Sequence, residues 1–284
     1  MTDQFKVKSQ PEIEDALLIV GLDGWVDAGN STAGALKALR KEVTFAPLAE
    51  FKTDDLYDLR ARRPTMHLID SVNSGISWPR IRVGHGQDTE GKDLLLLVGP
   101  EPDYRWRPFA RSVVSLAKRF NVRMVIGLGS YPAPAPHTRP TQVVATATTE
   151  EIATGVGRVM GKLDIPAGAT AAIELACKKA DLAATGLWAQ IPHYAAGFPY
   201  PAGSAALMGA LGRVGDVTIS SDMFDEEVAA TRTRLDELVA NSEEATELVR
   251  RLETIADSVG SEGDLPSGDE LAAEIQRFLR EQSD

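Results

Sequence analysis

A single cysteine, Cys177, and four scattered histidines are all the soft metal-binding chemistry in this 284-residue chain. One thiol cannot close an intramolecular disulfide, so a packed core must hold the fold. Its place in the helix-like stretch 169–184 reads as a small buried residue in a reducing compartment. His67, His85, His137 and His193 stand apart, with no His-x-x-x-His or Cys-x-x-Cys spacing, so no metal and no cofactor is expected. The chain also lacks a Gly-x-Ser-x-Gly turn, which removes the simplest serine-hydrolase arrangement. No stretch approaches the ~20 apolar residues of a membrane span, and no basic start precedes an apolar segment at the N-terminus, so a cytoplasmic protein is expected. Lysine and arginine together number 30 against 41 acidic residues, a net charge of −11. Without a basic stripe, neither nucleic acid nor an anionic membrane is expected as a partner.

What is present is enough apolar residue, 43%, for a sizeable core. Apolar runs at 16–22, 44–51, 66–70, 80–84, 93–98, 122–128, 142–148 and 185–191 read as strands, and helical periodicity fits 30–42, 105–120, 169–183 and 203–213. Alternation of the two element types predicts a three-layer α/β/α fold with a largely parallel sheet. A hairpin through 78–93 would make that sheet mixed. From residue 222 the composition changes: glycine vanishes up to Val259, and Leu235, Leu238, Leu248, Leu252 and Ile255 recur at helical spacing. We expect a core domain over 1–221 and a helical extension over 222–284, broken near Asn241 and Ser242, packed on the core or on a sister subunit. A final helix is expected to start with the capping-box spacing of 267–270.

Strands that end in glycine-rich or proline-rich turns are where such folds place sites, because the carboxyl ends of parallel strands share one edge. Three turns qualify. The run GLDGWVDAGN at 21–30 offers Asp23, Trp25, Asp27 and Asn30, with backbone donors opening a helix. Its glycine spacing matches neither the dinucleotide fingerprint nor the phosphate loop. The structural alternative makes Asp27 or Asn30 a helix N-cap and Trp25 a packing residue. GPEPDYRW at 99–106 offers Glu101 and Arg105, for acid–base work or for a salt-bridge network. GLGSYPAPAPHTRP at 127–140 presents His137 and Arg139, suited to an anionic ligand, or else fastening the loop, the arginine to carbonyls and acidic partners. Glu174, on an apolar helical stretch, needs a partner wherever it is buried.

Taken together with LWAQIPHY at 187–194, LVRRLE at 248–253 and LPSGDELAAEIQRFLRE at 265–281, these motifs resemble the proteasome assembly chaperone 2 family in its actinobacterial branch. The resemblance covers nearly the whole chain. It implies a fold like that of the nucleoside phosphorylase and peptidyl-tRNA hydrolase group and a tendency to self-assemble, with a trimer as the leading expectation. It also adds His193 to the pocket candidates. The GLDGW turn departs from the Gly-rich turn of the archaeal branch, and Asp23 and Trp25 add groups suited to a different ligand. Two function classes stay open: a chaperone-like protein-interaction module that forms a homo-oligomer and binds a protein partner, or a hydrolase or phosphorylase-like enzyme acting on a small anionic or nucleoside-like substrate.

Overall fold

The computed structural model describes residues 4–24, 26–157, 159 and 161–259. Trp25 and the final helix expected to start at 267–270 lie outside the described residues.

The apolar runs become an eight-stranded mixed sheet in the order β1-β3-β6-β7-β2-β8-β10-β9. Its members are β1 (Phe5–Val7), β2 (Ala16–Asp23), β3 (Ala46–Phe51), β6 (Arg82–Gln87), β7 (Asp93–Pro100), β8 (Val122–Ala133), β9 (Val143–Ala147) and β10 (Ala183–Pro192). The central strands β7, β2, β8 and β10 are mutually parallel. The outer strands pair antiparallel, including the β6–β7 hairpin expected from the sequence.

Period-two alternation explains why the central strands read as continuous apolar runs. Leu17, Ile19, Leu94 and Leu96 point to one face, where α1 (Ser31–Glu42) and α5 (Pro201–Gly215) cover them. Leu18, Val20, Leu95 and Leu97 point to the other, under α2 (Trp106–Arg119) and α4 (Ala169–Lys178). A strand buried on both faces needs apolar residues at every position, and each such leucine contributes roughly 1.5–3 kcal/mol.

Five details differ from the sequence reading. β8 does not stop at its glycines but runs on to Ala133, because β10 pairs with it as far as Pro132 and Ala133. Gly129 is needed there, since a Cβ would lie 2.4 Å from the Trp188 ring. The strand expected at 66–70, β4 (Thr65–Ile69), leaves the main sheet and pairs with β5 (Val72–Ser77) in a separate hairpin. That hairpin is polar at every second position only in part, so β5 carried no clear pattern. The helix expected over 169–183 stops at Lys178, where Asp181 turns left-handed (φ 53°). The strand expected at 80–84 begins two residues later, and the short α3 (Glu150–Val156) was not anticipated.

The leucine stripe of the extension forms a helical hairpin, α6 (Asp225–Ala240) and α7 (Glu243–Val259), with the break at 241–242. Leu235 joins the core cluster beneath α1 and α5, and Val249 and Leu252 are buried. Leu238 and Ile255 remain exposed.

Gly99 gives a direct check of this topology. Its φ is +148°, and a Cβ would fall 2.3 Å from the Arg80 carbonyl oxygen, where β7 passes the start of β6. Gly99→Ala should destabilise the protein by at least ~1–3 kcal/mol from backbone strain alone, read as a lower denaturation midpoint with unchanged slope. A neutral substitution would contradict the register.

Candidate functional site

Because β7, β2, β8 and β10 are parallel, Asp23, Glu101, His137 and Arg139, and His193 all follow carboxyl ends on one edge of the sheet. Hydrogen bonds divide them into separate groups rather than one open constellation.

Asp23 and Glu101 form the first group. The Glu101 amide donates to the Asp23 carbonyl at 2.6 Å, and the Glu101 carboxylate accepts from the Ala169 amide at the first turn of α4. Burial raises the Glu101 carboxyl above its usual range, against the pull of the Ala169 hydrogen bond and the Arg62 charge. Burial and then the Asp27 charge likewise raise Asp23, opposed by Arg40 and Arg62. Arg105, exposed, sits 2.7 Å from Asp55.

Asp27 is a cap. Its carboxylate accepts from the Thr32 amide at 2.7 Å and the Ala33 amide at 3.1 Å, satisfying first-turn donors of α1 that would otherwise lack partners. The Ser130 hydroxyl of β8 lies 2.8 Å from the same carboxylate. Asn30 occupies the N-cap position with φ 49° but makes no side-chain cap bond.

His137 is buried, its side chain 1% exposed. Nδ1 lies 2.7 Å from the Tyr194 hydroxyl and Nε2 lies 3.1 Å from Asp236 of α6. The His137 amide also donates to the Tyr194 oxygen at 2.9 Å. With Tyr194 donating its own proton to Nδ1, Nε2 carries the hydrogen that Asp236 accepts. Arg139 grips α7: Nε and Nη2 donate to the two Asp257 oxygens at 2.8 and 2.9 Å, and Nη1 donates to Glu253 at 3.1 Å. Thr138 donates to Glu253 as well. His193 stacks edge-on to Tyr194, centroids 5.3 Å apart, and its Nδ1 is buried without a hydrogen-bond partner.

The sequence therefore named the residues at the strand ends but missed their partners Tyr194, Ser130, Asp236, Glu253 and Asp257. Asp236, Glu253 and Asp257 are indistinguishable in sequence from other acids on the solvated faces of α6 and α7. Among the described residues no group of three or more histidine, cysteine or acidic side chains is gathered to hold a metal ion.

A doubly covered mixed sheet whose carboxyl-edge loops are fastened to a C-terminal helical hairpin defines a class of α/β proteins, and the sequence places the chain within it. Residues 21–239 match the PAC2 family, and the chain belongs to that family. A Mycobacterium tuberculosis protein of unknown function is 28% identical and superimposes with a TM-score of 0.83, covering 100% of this chain and 98% of that one. A PAC2 family protein from Streptomyces avermitilis is 29% identical, TM-score 0.72, covering 83% and 100%. A Mycobacterium tuberculosis proteasome-assembly chaperone homologue is 28% identical, TM-score 0.75, covering 82% and 99%. No protein of curated function matches the chain.

Two outcomes follow from the geometry. A carboxyl raised in the folded state favours folding below its unfolded pKa, and that contribution disappears as pH rises through the folded value. Glu101→Gln retains an acceptor for the Ala169 amide, so its stability relative to wild type should improve as pH rises from 4 to 8. Denaturation curves giving a pH-independent difference would reject that account. Arg139→Ala should speed amide hydrogen exchange in α7 several-fold while β2 and β8 stay protected. Uniform protection in the variant would mean that the arginine does not anchor the helix.

Proposed function

We propose that this chain is a chaperone-like protein-interaction module, working in the cytoplasm as a closed homo-oligomer, most simply a trimer, with the β4–β5 hairpin as its contact surface. The observation that carries this reading is the hairpin's apolar exposure. Met66, Leu68, Ile69, Val72 and Ile76, on a two-stranded sheet that shares no strand with the main one, and Trp78 just after it are 42–67% exposed. Met66 lies opposite Ile76 and Ile69 opposite Val72; exposed apolar groups held side by side mark interaction sites, and closed symmetry is the common way to cover them.

The family relation supports the same reading, since one neighbour is described as a proteasome-assembly chaperone homologue. The division into a 1–221 core and a helical extension from 222 is part of it: the extension braces the 134–140 loop rather than carrying chemistry. The competing enzyme reading needs a cation free to take an anionic substrate. Arg105 and Arg139 are already paired with acids of this chain, and His137 is buried between Tyr194 and Asp236. No helix among the described residues is long and apolar enough to cross a membrane.

The test is the solution mass of wild type beside the double variant Leu68→Lys, Val72→Lys. Light scattering at micromolar concentration should give a multimer for wild type and a monomer for the variant, with identical far-ultraviolet circular dichroism. A monomeric wild type would remove the oligomer, and a multimeric variant would move its contact away from the hairpin.

A further inference from the structure

The two faces of the sheet are not covered equally. On the α1 and α5 side one core cluster runs from β7 across to β10 and takes in Leu235 of α6. On the other side the cluster under α2 and α4 is separate from a small one made by Val26, Tyr131, Ala133 and Val144. Between them lies a cavity of about 590 Å³, over the middle of β8 and the first half of β10 and beside β9. It is within the range of small-molecule sites, ~300–1,000 Å³.

Its walls are apolar, including Val125, Val144, Leu163, Ile165 and Ile173, and its floor is opened by glycines. A Cβ on Gly127 would meet nothing nearer than Thr170 at 3.7 Å. Polar side chains interrupt this lining, among them Thr170, Thr185 and Glu150, and two further groups bear on the choice of ligand. The Tyr131 hydroxyl, on a residue 5% exposed, is buried near Gln190 but makes no hydrogen bond of ordinary geometry. Glu174 is the end of a relay in which Trp188 Nε1 donates to Thr146 Oγ1 at 3.3 Å and Thr146 donates to Glu174 Oε2 at 2.7 Å. A carboxylate with four lone-pair positions keeps room for a further donor.

The sign of the field decides the ligand class. An empty helix N-terminus beside such a cavity would favour an anion, but Glu101 already occupies the first turn of α4. Glu150 and Glu174 both line the cavity, so an anionic ligand would meet two carboxylates. We propose that this cavity is a binding site for a small apolar amine, its hydrocarbon part between α4 and the sheet and its ammonium group donating to Glu174. Burial holds the Glu174 carboxyl above its usual range, opposed by the Thr146 hydrogen bond, the Lys178 charge and the Gly186 amide, and a bound ammonium would restore the charged form. The interaction surface on the β4–β5 hairpin plays no part in this site.

The probes are octylamine, octanol and octanoate, each below its micelle concentration, titrated by calorimetry and by ligand-observed magnetic resonance into wild type and three variants. Octylamine should bind wild type at least tenfold more tightly than octanol, and octanoate should not bind. Glu174→Gln should bring octylamine down to the octanol level. Gly127→Val, which fills the floor, and Ala171→Phe, which closes the mouth, should each abolish binding of both. Equal binding of amine and carboxylate, an amine preference that survives Glu174→Gln, or failure of all three probes on folded wild type would overturn the proposal. Should Gly127→Val not fold, Ala171→Phe on the exposed side of α4 still decides whether the probes enter the cavity.

Discussion

The turn between β2 and α1 holds the rest of the molecule in place. Asp27 bridges to Ser130 of β8 and accepts from the first amides of α1, while the Ser130 hydroxyl lies between that carboxylate and the Ala28 carbonyl. The Gly29 amide donates to the Ala196 carbonyl and its own carbonyl accepts from the Tyr200 amide, so the segment from β10 to α5 is fastened at the same point. Gly29 is required there: φ is +65°, and a Cβ would lie 2.6 Å from the Tyr200 Cβ. One turn thus joins two parallel strands and two helices. The consequence is that the carboxyl edge, which in other doubly covered sheets opens into a crevice, is closed by the chain's own polar groups.

The fastening of the 134–140 loop to α6 and α7 has two unequal parts. Arg139 with Asp257 and Glu253 lies largely in solvent, where ion pairs add little to global stability even in good geometry. His137 is different, because its ring is enclosed and both nitrogens have partners. Leaving buried groups such as these unpaired costs roughly 1–3 kcal/mol each. The histidine therefore fixes the loop on the core, and the arginine sets where α7 lies along it.

Polar groups close one region of the molecule and apolar ones leave two others open. The cavity beneath α4 exists because the α4 side carries glycines on β8 and β10 where the other side carries leucine. The thiol of Cys177, on α4 one turn from Glu174, is pushed up to about 12 by burial and by that carboxylate, which makes it an inert packing group. The hairpin of β4 and β5 is open for a different reason, since its strands pair only with each other.

The sequence by itself determined the layered fold, because a strand buried on both faces has to be apolar at consecutive positions, as Ala16–Val20, Leu94–Val98 and Met124–Ile126 are. It also located the strand-end turns, the hairpin before β7 and the break between α6 and α7, all of which depend on residues close together in the chain. The family, too, was legible in motifs such as GLDGWVDAGN and GLGSYPAPAPHTRP. Only the tertiary structure decided what Asp27, Glu101, His137 and Arg139 do, since each meets partners supplied by other elements: Ser130, Ala169, Asp236 and Asp257. Nor could local pattern show that β4 leaves the main sheet, or that Gly127 and Glu174 face a common space. Periodicity reports which side of an element is apolar, whereas the partner of a charge and the emptiness beside a glycine are set by packing between segments distant in sequence.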